Sequence, residues 1–113
     1  MDTEFRFRRQ SCRPLWDVSV RLTAMPAKAL SVSADPRVTE SIAPGALRAV
    51  LLGITTACSS VDDLQPFSIS VVGIMDHSGT TSDLGFKACA EGAAYHLLGL
   101  PDRAPASGIS PEA

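Results

Sequence analysis

Polar and apolar residues alternate over several stretches of this chain. Phe5 and Phe7 alternate with Glu4, Arg6 and Arg8, which predicts a first strand over about Thr3 to Gln10. Pro14 breaks the pattern and predicts a turn over Ser11 to Leu15. Trp16, Val18, Val20 and Leu22 then alternate with Asp17, Ser19, Arg21 and Thr23, the cleanest strand pattern in the sequence. Two such runs with a short break predict an antiparallel hairpin with Arg13 near its tip. Met25-Pro26 ends the second run, and Leu30 with Val32 predicts a short third strand before Asp35-Pro36. The run FSISVVGIM predicts a further strand, with Phe67, Ile69, Val71 and Met75 on one side and Ser68 and Ser70 on the other.

Two stretches have helical spacing instead. With Ser41 as N-cap and Pro44 at the third helical position, GALRAVLLGITTAC predicts a helix ending near Cys58. Ala46, Ala49, Val50 and Ile54 can face a sheet, which leaves Leu47 and Leu51 partly exposed on another side. After the polar loop DHSGTT, the residues Phe86, Cys89, Ala90, Ala93 and Leu97 form an apolar stripe, with Lys87 and Glu91 off it. Thr80 with Asp83 has capping-box spacing, and Ser82 is an equally good N-cap.

The predicted order is β-β-β-α-β-α. One sheet with both helices on one face buries the alternating residues of every strand, so the fold class is α+β, a two-layer sandwich. Residues 1–99 form the domain. The Pro-, Gly- and Ser-rich segment 100–113 reads as a disordered tail.

Composition narrows the picture. The chain has 113 residues, long enough to bury a core without disulfides. Its net charge of −2 gives no overall basic field. The basic residues are unevenly placed, however, with Arg6, Arg8, Arg9, Arg13 and Arg21 all near the start. Cys12, Cys58 and Cys89 are an odd number without a close pair, and Cys89 on the apolar stripe reads as a buried thiol. The N-terminus lacks the apolar run of a signal peptide, and no segment approaches a membrane span, so the expected location is cytoplasmic.

Catalytic chemistry finds no foothold in the sequence. The adjacent Asp62 and Asp63 lack further ligands nearby and read as a loop. No Ser-His-Asp order has supporting context, and no G-x-x-x-x-G-K-[ST] phosphate loop is present. No enzyme activity, metal, nucleotide or other cofactor is expected.

At the level of motifs the chain resembles domain IV of translation elongation factor G. The run RRQSCRPLWDVSVRLTAMP resembles that family's opening R-Q-S-G-G-R-G-Q-Y and the strand after it. The helix GALRAVLLG resembles the first helix of that domain. MDHSGTTSDLGFKACAEGAA resembles Y-H-D-V-D-S-S-E-M-A-F-K-I-A-G-S-M-A, with Ser82, Phe86 and Lys87 identical and His77 on the family's loop histidine. The likeness runs from about Phe5 to Leu98. It departs at the first tip, where Cys12-Arg13-Pro14 replaces a glycine-rich turn, and in the loop, where Ser78-Gly79-Thr80 replaces Asp-Val-Asp.

The resemblance implies a four-stranded mixed sheet with an unusual left-handed β-α-β crossover. It also implies two adjacent loop tips that touch ribosomal or other structured RNA. The expected RNA-contacting residues are Arg9, Gln10, Ser11, Arg13, His77, Ser78, Thr80 and Lys87. Each has a plainer alternative: a surface histidine, a solvated strand face, or for Lys87 an ion pair with Glu91. The competing functional expectation is a protein-interaction or self-assembly module. It would use Leu47 and Leu51 on helix 42–58 against a second copy or a protein partner.

Overall fold

The computed structural model describes residues 1–10 and 15–105. Four strands form one mixed sheet: β1 (Asp2–Arg9), β2 (Trp16–Pro26), β3 (Ser31–Ala34) and β4 (Phe67–Asp76). Their spatial order is β1-β2-β4-β3. β2 pairs antiparallel with both β1 and β4, while β3 runs parallel to β4. Three helices follow from the same chain: α1 (Pro36–Ser41), α2 (Pro44–Ser59) and α3 (Asp83–Leu97). The protein is thus a small α+β domain with a four-stranded mixed sheet.

The core follows the alternation. Phe7 of β1, Val18, Val20, Leu22 and Ala24 of β2, and Ile69 and Val71 of β4 are buried. They meet Val38 of α1, Ala46, Ala49, Val50 and Ile54 of α2, and Phe86, Cys89, Ala90 and Ala93 of α3. The opposite face of the sheet carries Glu4, Arg6, Arg8, Ser19, Arg21 and Met75.

Met75 corrects the sequence reading. Ile69 and Val71 face the core as expected, but Met75 is 60% exposed. The register between β2 and β4 shifts at Arg21/Leu22, where Arg21 pairs with Gly73 and Leu22 with Val71. Val72 is the extra residue. A bulge of this kind inverts the in–out pattern beyond it. Ile74 therefore packs on the core, and Met75 pairs with Ser19 on the open face.

The helix boundaries also differ from expectation. Ser41 closes α1 instead of capping α2. Asp35 is the cap of α1, its side chain accepting the Arg37 N–H at 2.8 Å, and Pro36 fits the first turn. α2 begins with Pro44 in its first turn, after Ala43 as N-cap. At α3 the N-cap position is Ser82, although its hydroxyl makes no capping bond. Of the predicted tail, Pro101–Arg103 forms a 3-10 turn, and Leu100 and Ala104 pack against the core. Residues 106–113 lie outside the described part.

α2 and α3 approach each other closely at Gly53. A Cβ there would lie 2.4 Å from the Lys87 carbonyl oxygen and 3.0 Å from the Ala90 Cβ. Backbone cannot yield as a flexible side chain can, so this position demands glycine. Ala46, Ala49 and Ala57 continue the small-residue surface of α2. Among the described residues, no helix is long and apolar enough to cross a membrane. Gly53→Val is expected to destabilise the fold by about 2–3 kcal/mol or more, since overpacking here pries two helices apart. Urea unfolding of the variant checks this against the smaller loss expected of Gly99→Ala, whose cost is conformational only.

Candidate functional site

The loop between β4 and α3 is organised by Asp76. Its Oδ1 accepts the Thr81 hydroxyl at 2.7 Å, the Ser78 hydroxyl at 3.0 Å, and the N–H groups of Gly79 at 3.1 Å and Ser78 at 3.3 Å. Its Oδ2 accepts the Thr81 N–H at 3.3 Å. Aspartate suits such a ring because its short carboxylate reaches the backbone just ahead of it. Burial pushes this carboxyl upward, but the hydrogen bonds from Thr81, Ser78 and Gly79 outweigh it, and the pKa ends below its ordinary value. Gly79 completes the turn with a φ of 72°, a left-handed conformation open to glycine.

This loop is bonded to the start of β2. The Thr80 hydroxyl donates to the Leu15 carbonyl at 2.6 Å. The Asp17 N–H donates to Thr81 Oγ1 at 3.1 Å, and the His77 N–H donates to the Asp17 carbonyl at 2.7 Å. The ring of His77 meets the Ser19 hydroxyl at 2.6 Å through Nε2. Trp16 lies beside the same junction, with its indole against Gly85 at the start of α3, where the Thr81 methyl also comes close. The indole Nε1 of Trp16 and the hydroxyl of Ser82 are buried and find no partner among the described residues.

Asp17 joins the third element. Its carboxylate is buried and takes a two-pronged bond from Arg6, Nε to Oδ1 and Nη2 to Oδ2, each 2.8 Å. Arg8 adds an ion pair at 3.2 Å. The Arg6 hydrogen bond, aided by the positive charges of Arg6, Arg8 and His77, holds the Asp17 carboxyl below its usual range despite burial. The Arg6 guanidinium is raised in turn, first by that bond. One residue thereby holds β1 through its side chain and the loop, at His77 and Thr81, through its backbone.

The expected site residues separate into groups. Arg9 and Gln10 are exposed at the end of β1, and Arg9 lies 5.6 Å from the Phe7 ring centre. Ser11 and Arg13 lie outside the described residues. Arg9 pairs with Trp16 across the hairpin, so the flanks of the first tip stand at the same end of the sheet as His77. Ser78 and Thr80 are nearby, but their hydroxyls are engaged inside the loop and on Leu15. Lys87 stands apart. It pairs with Glu91 at 3.6 Å and lines a shallow groove of about 250 Å³ with Gly45, Arg48, Leu52 and Leu84. Leu47 and Leu51 are half-buried against the core, whereas Leu52 and Leu84 are 54% and 69% exposed.

On the open sheet face, His77 and Met75 border a depression of about 360 Å³ with Glu4, Ser19 and Arg21. Burial pushes the Cys89 thiol up to about 12. Its Sγ donates to the carbonyls of Phe5 and Val18, so it packs the two strands together. Among the described residues, no group of three or more His, Cys, Asp or Glu side chains could hold a metal ion. The reading from sequence passed over Asp17 and Asp76. For Asp76 the signal was the D-x-S-G pattern of a self-bonded turn; for Asp17 it was an acid on a strand facing two arginines.

No protein-family profile matches the chain. No curated protein is detectably similar in sequence. Among solved structures, the fold matches part of a crystal structure of a protein from Thermus thermophilus, with a TM-score of 0.67 and 21% identity. The match covers 82% of this chain but 14% of that one, so the chain spans a small part of its neighbour's length.

Asp17 and Asp76 both have folded pKa values below their unfolded ones. Their contribution is present above about pH 4, the ordinary aspartate value, and is lost as pH falls through the depressed folded values. Asp17→Asn is expected to lower stability at pH 7 by about 1–2 kcal/mol, a modest figure because both arginines are half-exposed and screened. The variant should also lose less stability than the parent between pH 5 and pH 2, roughly the span of native carboxylate titration. Urea midpoints across that range measure both effects.

Proposed function

We propose that this chain is a non-catalytic binding module resembling domain IV of elongation factor G, which contacts ribosomal or other structured RNA through one end of its sheet. The strand and helix order supports this reading. So does the parallel β3/β4 pair joined through α1 and α2, a crossover that the resemblance makes left-handed. The fold match to a small part of a much longer chain fits a unit that also occurs inside larger proteins.

The observation that carries the proposal is the bonding of loop 76–82 to the start of β2. It sets the exposed His77 ring and the flanks of the first hairpin on one rigid end. His77 offers a ring that can stack on a base and exchange hydrogen bonds, and Arg13 and Arg9 supply phosphate contacts. Few residues of loop 76–82 need ordering on binding, which limits the entropic cost. Arg6 and Arg8 serve Asp17 first, so the cationic contribution is small. Binding is therefore weak and salt-sensitive, with the shallow slope of a few phosphate contacts. Lys87, on the far groove, belongs to this site only through the resemblance.

Ribosome co-sedimentation and filter binding to structured RNA at two salt concentrations test the proposal. His77→Ala and Arg13→Ala are each expected to weaken binding severalfold. For His77→Ala, the unfolding free energy should stay within about 0.5–1 kcal/mol of the parent's, as expected of an exposed position. No association of the parent chain at low salt would overturn the RNA reading. The protein-interaction reading would then take its place, with the partly exposed Leu47 and Leu51 joined by Leu52 and Leu84, the exposed apolar residues of the α2–α3 groove.

A further inference from the structure

Among the described residues, β1 is an edge strand eight residues long, paired with β2 on one side only. Met1 and Ala24 exchange both backbone hydrogen bonds, each at 2.9 Å. In an antiparallel ladder such pairs recur at every second residue. With the register unbroken, Thr3, Phe5, Phe7 and Arg9 therefore bond to β2. The N–H and C=O groups of Asp2, Glu4, Arg6 and Arg8 point away from the sheet. Among the described residues nothing bonds to those outward groups.

The side chains of those same four residues are exposed on the open face. Their charges are ordered along the strand: Asp2 and Glu4 at the start, Arg6 and Arg8 at the end. Charged edges normally repel a second strand. A polarised edge behaves differently towards its own antiparallel copy. In one register, Asp2 stands opposite Arg8 and Glu4 opposite Arg6, each twice by symmetry, and every directly facing pair is of opposite sign. The outward backbone groups of these same residues then face each other in hydrogen-bonding pairs. A slip of two residues either way sets Glu4 against Glu4 or Arg6 against Arg6. The two-fold axis then passes between the two Phe5 residues, each half-buried on the helix face against Gly92 and His96 of its own α3.

The ion pairs within the chain leave this pattern unsatisfied. Arg6 and Arg8 share the single carboxylate of Asp17 and stay 52% and 46% exposed. Among the described residues, Asp2 and Glu4 reach only Arg21, at 4.0 and 3.9 Å. One end of the strand is short of anions and the other of close cations. The opposite edge of the sheet, β3, has four residues and no such charge order.

We propose that β1 pairs with β1 of a second copy of this chain, antiparallel about a two-fold axis, with Glu4 facing Arg6 and Asp2 facing Arg8. Two four-stranded sheets become one continuous sheet of twice the width. Isologous pairing is the common route to a symmetric dimer, and strand addition is a common mode of recognition. The proposal uses the long edge of the sheet and does not depend on RNA binding at its end.

Sedimentation velocity of the full chain at low salt, up to about 100 µM, is expected to show a dimer that weakens as salt rises. Asp2→Arg with Glu4→Arg places like charges at every facing pair. It should raise the dissociation constant at least tenfold, while the monomer stays folded with a thermal midpoint only slightly lowered by the like charge that Glu4→Arg sets against Arg21 across β1 and β2. Disulfide trapping tests the register separately, in a Cys12→Ser background. An equimolar mixture of Asp2→Cys and Arg8→Cys chains should cross-link between copies, whereas Glu4→Cys with Arg8→Cys should not. A chain that stays monomeric at the highest concentration overturns the proposal. So does a dimer indifferent to the charge reversal, or one that cross-links equally well in the slipped pair.

Discussion

The buried carboxylate of Asp17 is the constraint on which the candidate site depends. An ionised group taken out of water is costly unless its lone pairs are matched. Here Arg6 supplies two hydrogen bonds and Arg8 an ion pair, so the charge is compensated on one side by β1. The backbone of the same residue is used on the other side by His77 and Thr81. Strand, neighbouring strand and loop thus meet at a single position. Asp76 repeats the device at smaller scale, gathering its own loop around one carboxylate.

This arrangement changes the meaning of the arginines near the N-terminus. Counted in the sequence, they form a basic cluster. Placed in the fold, two are internal counter-ions, one lies near Phe7, and one sits across from acidic residues of the edge strand. A positive patch is a property of unpaired charge, not of residue count. The end of the sheet is accordingly better described as a rigid platform with a histidine than as an electrostatic trap.

Much of the architecture was legible in the sequence because the sheet has one wet face. Trp16 to Leu22 alternate in sequence, and Val18, Val20 and Leu22 reach the core as that alternation names them, whereas Trp16 is half-buried and Asp17 is buried on the other face. α2 was legible in its buried face, since Ala46, Ala49, Val50 and Ile54 all reach the core. Three features were not. The bulge at Val72 has no local marker, since its neighbour Gly73 reads equally as a loose strand residue, so simple alternation puts Met75 on the wrong face. α1 is a six-residue helix whose Asp35-Pro36 start reads equally as a turn. The pairing of Asp17 with Arg6 needs the register of the hairpin, which fixes who stands beside whom only after the strands are placed. The site was legible to the same extent: His77 stands out as an exposed loop residue, whereas Ser78 and Thr80 are parts of the loop's internal bonding.

Trp16 is the chain's single tryptophan, and its indole lies where β2, the 76–82 loop and the start of α3 converge. Indole emission responds to the polarity and motion of its immediate surroundings. The chain therefore carries a built-in optical reporter at the end of the sheet where the candidate site lies, and at no other place. Docking of a large molecule there is felt through the packing around this partly buried indole, whereas events at the distant edge of β3 leave it untouched. Native fluorescence can thus tell which end of the domain a ligand has reached, without any added label.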